Sequence, residues 1–217
     1  MWGVSGSDVW AVGAQGTALH WTGAGWSAVP LGASVDLTSV AGTGSGDVWA
    51  SGGFHWNGSG WTQPAAGAPG GDVWAVAPND VWATSGFVSP SPNVWRFDGA
   101  TWTSMRAAPF VQFGLFAIWA DASTVWAAGE GSQVVHFANG VWTTVAPPGG
   151  SSLGFVDIMQ SGQDVYAAGI GVARATVGST FTRDPDAPAG ISYTGVWLTP
   201  SQVWVVGDRG TVTHKAR

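Results

Sequence analysis

The sequence predicts an all-β fold: a β-propeller of six blades, each of four antiparallel strands, with the last blade lacking its outer strand. Three observations lead there. An Asp-Val-Trp-Ala-like string recurs six times at spacings near forty residues. Glycine supplies 34 of the 217 residues and tryptophan 16, while charged residues make up only 9%. No stretch holds a 3.6-residue apolar period long enough for a substantial helix.

The anchor string reads Asp8-Val9-Trp10-Ala11, Asp47-Val48-Trp49-Ala50 and Asp80-Val81-Trp82-Ala83, then Thr124-Val125-Trp126-Ala127, Asp164-Val165-Tyr166-Ala167 and Gln202-Val203-Trp204-Val205. Its aromatic positions are 39, 33, 44, 40 and 38 residues apart. Each unit reads as strands a to d. Strand a carries an apolar pair such as Val40-Ala41 or Ile118-Trp119. A turn of Gly, Ser, Asn, Asp and Pro follows, as in Ala77-Pro78-Asn79-Asp80. Strand b is the anchor string. Strand c ends in a basic residue and then an aromatic one (His20-Trp21, His55-Trp56, Arg96-Phe97, His136-Phe137), and strand d opens at Trp26, Trp61, Trp102, Trp142 or Phe181. The units span approximately 1–30, 37–64, 71–105, 114–146, 154–184 and 193–217, within one domain covering 1–217.

The stacking of blades explains why strands need not alternate. Each blade is packed on both faces, so runs such as Val203-Trp204-Val205-Val206-Gly207 are apolar throughout. The sixth unit ends at strand c with Lys215-Ala216-Arg217. An unpaired edge there would be a liability, so an upstream segment of a longer natural chain, or an oligomer or partner chain, is expected to complete it.

At Phe97-Asp98-Gly99-Ala100-Thr101-Trp102-Thr103 the chain resembles the Asp-box hairpin of bacterial-neuraminidase-type repeats. The unit from Asp8 to Trp21 resembles photosystem assembly-factor-type propellers, and is more similar still to Trp-rich repeat arrays of secreted bacterial proteins. The resemblance implies a propeller that is secreted or displayed on a bacterial cell surface. It implies no particular activity, because such repeats serve many functions. The hairpins Thr22-Gly23-Ala24-Gly25 and Asn57-Gly58-Ser59-Gly60 lack the Asp and read as degenerate copies.

Several functions are excluded by composition. The net charge of −6, with no basic stripe, speaks against nucleic acid and anionic membrane surfaces. The absence of cysteine removes disulfides and thiol chemistry. The longest uncharged apolar run, Ala107 to Ala120, is too short and too interrupted to span a bilayer. Met1-Trp2-Gly3-Val4 lacks the basic-then-apolar pattern of a secretory leader.

Candidate chemistry fares no better. His20, His55, His136 and His214 occupy one repeat position, so they are spread over blades and do not converge on a metal. Each imidazole is expected to bond a neighbouring blade's backbone. Asp8, Asp47, Asp80 and Asp164 end the a–b turns and are expected to cap them. Asp184-Pro185-Asp186 reads as a solvated linker, not a calcium loop. Glu130 is the only Glu, so a glycosidase pair is missing. Sialidase chemistry also needs clustered arginines, which are scattered here. Gly150-Ser151-Ser152-Leu153-Gly154 matches a nucleophile elbow in letters but lacks the strand and helix around it. No catalytic site, metal or cofactor is expected.

Loop lengths locate a binding surface. From the strand-c basic residue to the strand-d aromatic the spacing is 6, 6, 6, 6 and 7. From the strand-b aromatic to that basic residue it is 10, 6, 14, 10, 8 and 10. The b–c turns therefore vary while the c–d turns do not, and recognition tends to reside on variable loops. The candidates are Gln15, Phe87 in the insertion from Ser85 to Asn93, Glu130, Asp208 and Arg209. The sequence thus points to a non-enzymatic recognition module. Repeated aromatics (Trp21, Trp56, Phe97, Phe137) could give multivalent, lectin-like carbohydrate binding, although blade packing is their default use. The alternative is a scaffold that docks a protein partner.

Overall fold

The computed structural model describes residues 1–65, 67–86, 94–105, 114–146 and 154–217. Five four-stranded sheets and one three-stranded sheet follow each other along the chain, all antiparallel and all in up-and-down order. This is the expected propeller. The first blade is β1 (Trp2–Ser5), β2 (Asp8–Val12), β3 (Ala18–Trp21) and β4 (Trp26–Ala28); the second is β5 (Val40–Gly44), β6 (Asp47–Ala50), β7 (Phe54–Trp56) and β8 (Trp61–Thr62). The third is β9 (Val73–Ala77), β10 (Asp80–Thr84), β11 (Val94–Phe97) and β12 (Trp102–Ser104). The fourth is β13 (Leu115–Ala120), β14 (Thr124–Gly129), β15 (Val134–Ala138) and β16 (Val141–Val145). The fifth is β17 (Phe155–Ser161), β18 (Asp164–Gly169), β19 (Gly171–Thr176) and β20 (Thr182–Arg183), and the sixth β21 (Tyr193–Leu198), β22 (Gln202–Gly207) and β23 (Val212–Ala216). Among the described residues helix is limited to two single 3-10 turns, Ala14–Gly16 and Glu130–Ser132, and none is long and apolar enough to cross a membrane.

The chain divides into two compact units, one holding blades one to three and the other blades four to six. Within each unit the first strands of consecutive blades run side by side. The strand-b residues form the core, with Trp10, Trp49, Trp126, Val48, Val81, Val125 and Val165 almost wholly buried. Their neighbours on both sides are apolar too, which is why the strands show no polar face.

The two units place their β-bulges differently. In the first unit strand a carries its extra residue near the a–b turn, at Val4, Thr43 and Val76. In the second the extra residue lies at the start of strand a, at Phe116, Val156 and Thr194. There the opposing residue is always glycine: Gly129, Gly169 or Gly207. A Cβ on Gly129 or Gly169 would lie 1.9 or 1.8 Å from the carbonyl oxygen of Gly114 or Gly154. The bulge brings backbone so close that only a hydrogen fits.

Candidate functional site

The repeated polar residues form a structural rail rather than a reactive site. Strand register sets the strand-b aromatic opposite the strand-c basic residue in every blade: Trp10 with His20, Trp49 with His55, Trp82 with Arg96, Trp126 with His136, Tyr166 with Arg174 and Trp204 with His214. Four of these pairs stack face to face, at centroid distances of 4.2 Å (Trp10–His20 and Trp49–His55), 4.0 Å (Trp126–His136) and 4.3 Å (Trp204–His214). Arg96 lies over Trp82 in the same way, at 5.4 Å.

The residue that opens strand b completes the rail. His20 Nε2 lies 2.8 Å from Asp8 Oδ1, and His55 Nε2 lies 2.7 Å from Asp47 Oδ1. Arg96 Nε donates to Asp80 Oδ1 at 2.8 Å, which raises the guanidinium pKa further. Where Asp gives way to Thr124, its hydroxyl meets His136. Burial pushes the His136 pKa down. A hydrogen bond from Ser45 and then the contact with His20 hold the Asp8 carboxyl low.

Two expectations are corrected here. The imidazoles of His20, His55 and His136 bond side chains of their own blade, not a neighbour's backbone. The acids that open strand b do more than cap their turns: Asp8, Asp47 and Asp80 pair with the strand-c basic residue of their own blade, Asp47 also accepting from the Thr43 hydroxyl within its turn, while Asp164 accepts from Arg217 Nε at 3.0 Å. The reason is geometric. Positions two apart on a strand share a face, so the acid lies beside its own Trp and within reach of the residue opposite that Trp.

The strand-c and strand-d aromatics of blades two and three, and Phe181 of blade five, belong to the packing between blades, whereas Trp21 meets Trp26 and Phe137 meets Trp142 within one blade. Trp56 and Trp61 of blade two pack on Trp10 of blade one, at 5.1 and 5.3 Å. Phe97 and Trp102 of blade three pack on Trp49 of blade two, and Phe181 of blade five on Trp126 of blade four. The Trp21 and Trp56 indoles donate to the carbonyls of Gly6 and Ser45 in their own a–b turns. In the c–d hairpins, Asp98 Oδ1 accepts from the N–H of Ala100 and Thr101 at 2.9 and 2.8 Å. Asn57, read from sequence as degenerate, does the same for Ser59 and Gly60 at 3.0 and 3.1 Å. An amide oxygen serves this turn as well as a carboxylate.

The opposite end of the sheets carries the b–c turns. Those with a spacing of ten share one conformation. Gly13, Gly129 and Gly207 each donate to the carbonyl four residues on, at 3.0, 3.0 and 2.9 Å. The two residues at the tip are left-handed in each: Gln15-Gly16, Gly131-Ser132 and Arg209-Gly210. The varied end therefore contains one turn used three times, and the turns of other lengths belong to blades two, three and five.

Of the candidate residues, Gln15 tips the blade-one turn, where its N–H donates to Asp36 Oδ1 at 2.9 Å. Phe87 lies outside the described residues, as do 150–153 of the elbow-like string. Glu130, Asp208 and Arg209 fall together in the second unit, exposed on the b–c turns of blades four and six. Between them, on the blade-five turn, stands Ile170, 60% exposed. It was not singled out from sequence, although its flanking glycines mark a tight turn that must project its one side chain. Beside it a hollow of about 60 Å³ is lined by Val172, Arg183, Pro188 and Ile191, among others. Among the described residues no group of three or more His, Asp or Glu is placed to hold a metal ion.

Asp184 is also corrected. It is 4% exposed, and both its oxygens accept from Lys215 Nζ, at 2.8 and 2.7 Å. Asp186 accepts from the same nitrogen at 2.8 Å, which lowers its pKa. Burial pulls the Lys215 pKa down, but the two carboxylates outweigh it and leave it raised. Through the buried Asp184 carboxylate the segment ties blade five to blade six, while Pro185 and Asp186 remain exposed.

No protein-family model matches this chain, and neither does any curated protein. Solved structures do. YCF48 bound to a D1 peptide is 16% identical with a TM-score of 0.68, over 98% of this chain and 75% of that one. A catalytically inactive virginiamycin B lyase from Staphylococcus aureus, solved with quinupristin, is 12% identical with a TM-score of 0.70, over 98% and 81%. PorZ, a surface component of the type-IX secretion system of Porphyromonas gingivalis, is 13% identical with a TM-score of 0.69, over 94% and 37%. At such identities the likeness establishes one thing: this chain has the β-propeller fold.

Proposed function

We propose that this chain is a non-enzymatic recognition propeller that docks a protein partner through the b–c end of its second unit. The observation that supports this reading is a contrast. Of the repeated groups that a multivalent sugar site would need, His20, His55, Arg96 and His136 are spent on the rail, and Trp56, Trp61, Phe97, Trp102 and Phe181 on packing between blades. The b–c end of blades four to six instead offers one non-repeating set: the apolar Ile170, flanked by Glu130 on one side and by Asp208 and Arg209 on the other. An apolar anchor ringed by charges is the composition of a protein-binding patch. Similar folds include a propeller that holds a peptide and a component of a secretion system, which is compatible with this reading.

The test is site-specific photo-crosslinking. A benzoylphenylalanine at position 170 should give one discrete protein adduct in extracts of the source organism. Arg209→Glu should abolish that adduct, and the same probe at Ser59, in a c–d hairpin, should give none. Saturable binding to a glycan array that survives Ile170→Asp would instead return the carbohydrate reading.

A further inference from the structure

We propose that Trp49 is a one-electron redox centre, the residue on which an oxidising equivalent taken up by the first unit comes to rest, with Asp47 receiving its indole proton. The ring has no solvent exposure, and its N–H donates to Asp47 Oδ1 at 3.1 Å. His55 stacks on the ring at a centroid distance of 4.2 Å, and its Nε2 lies 2.7 Å from the same carboxylate oxygen. The Thr43 hydroxyl donates to the other oxygen. Indole, imidazole and carboxylate thus close a triangle around a single acceptor atom.

That acceptor decides what the ring can do. Removing one electron from an indole leaves a radical cation whose N–H, a very weak acid in the intact ring, becomes a strong one. A buried cation without a counter-charge is costly. The electron therefore leaves most readily where an anion faces the charge or a base takes the proton, and a carboxylate does both. Three other strand-b indoles lack it. The Trp10 N–H has no partner among the described residues, and the equivalent Asp8 bonds His20 instead. The indoles of Trp126 and Trp204 donate to the amide oxygens of Gln160 and Gln202, which accept a hydrogen bond but are far too weakly basic to take a proton.

A chain of rings leads to Trp49 from the surface. Trp102 meets it edge-on at 6.0 Å, and the half-buried Trp2 and Trp95 pack against the same core cluster. The N–H groups of Trp95 and Trp102 have no acceptor among the described residues, so a hole arriving there keeps its proton and moves on. The oxidant is a peroxyl radical, which takes one electron and leaves as the hydroperoxide anion for water to protonate. The indole N–H bond breaks, its proton joins Asp47 Oδ1, and a neutral indolyl radical remains on Trp49.

The test oxidises the whole chain with photogenerated tris(bipyridine)ruthenium(III), a one-electron oxidant, and reads the product by transient absorption and freeze-quench EPR. A long-lived neutral tryptophanyl radical is expected. Trp49→Phe, which keeps a ring in the core, should remove it, whereas Trp10→Phe should not. Asp47→Asn keeps the shape of the site but neither the charge nor the base, and should shorten the radical's lifetime by about tenfold or more, the scale of a carboxylate acting on an adjacent buried cation. Asp8→Asn, the same rail position in blade one, should leave the lifetime unchanged. Far-UV circular dichroism shows that each variant is folded. Absence of a long-lived radical, its survival in Trp49→Phe, a protonated radical in its place, a lifetime indifferent to Asp47→Asn, or an equal loss in Asp8→Asn would each overturn the proposal.

Discussion

Replacing Lys215 by Met would leave the Asp184 carboxylate buried without its cation. That carboxylate is 4% exposed and receives two bonds from the ammonium, whereas Lys215 itself is 25% exposed. Breaking a fully buried pair costs about 3–5 kcal/mol, most of it the stranded charge. Partial exposure of the ammonium discounts this to about 2–3 kcal/mol. With a urea slope of about 2 kcal/mol/M, the midpoint for the second unit should fall by about 1–1.5 M, followed by tryptophan fluorescence. Lys215→Met combined with Asp184→Asn removes both charges and should recover more than half of the loss. A midpoint shift below about 0.2 M for the single variant, or no recovery in the double, would refute the claim that this tie is buried and joins the two blades.

Three further outcomes follow from the same structure. Trp49→Ala removes an indole with no solvent exposure, its stack on His55 and its contacts with Phe97 and Trp102. It should cost about 3–5 kcal/mol in urea unfolding. Gly129→Ala drives a Cβ into the Gly114 carbonyl and should cost about 3 kcal/mol or more, while Gly25→Ala, with nothing within 4 Å of the new carbon, should stay within about 0.5 kcal/mol. Stability should fall on acidification in two stages. The depressed His136 pKa makes the unfolded chain the better proton acceptor below about 6.5, and the depressed Asp8 and Asp186 values do the same below about 3.9. The raised Lys215 pKa acts at the other end, with its stabilisation lost as pH climbs past about 10.4. Urea midpoints measured against pH check this, and a midpoint that rises between pH 7 and 5 contradicts it.

Most of the frame was legible because its signals are local. Trp10, Trp49 and Trp126 announce strand b, and the fixed Trp-to-basic spacing of ten marks one turn conformation shared by blades one, four and six. The Asp–His pairing was legible in principle. Asp8 and Asp47 accompany His20 and His55, Asp80 accompanies Arg96, and Thr124 takes the place of Asp beside His136, whose pKa partial burial lowers. What hid it was the habit of reading each acid within its own turn instead of along the face it shares with the Trp two residues on. Asp184 was not legible at all. Its burial depends on Lys215, 31 residues away, and that charge pair forms only after two blades have packed. Ile170 was missed because a single exposed side chain between two glycines leaves no periodic trace.

The central claim is that the strand-b indoles of Trp10, Trp49 and Trp126 are each held between an imidazole of their own blade and an aromatic of the next, so that these repeated groups serve the frame and recognition falls elsewhere. Aromatic NOESY on uniformly labelled protein tests it directly. Cross-peaks should join Trp10 to both His20 and Trp61, Trp49 to His55 and Trp102, and Trp126 to His136 and Phe181. Well-resolved spectra in which Trp61, Trp102 and Phe181 show contacts only to their own strands would contradict it.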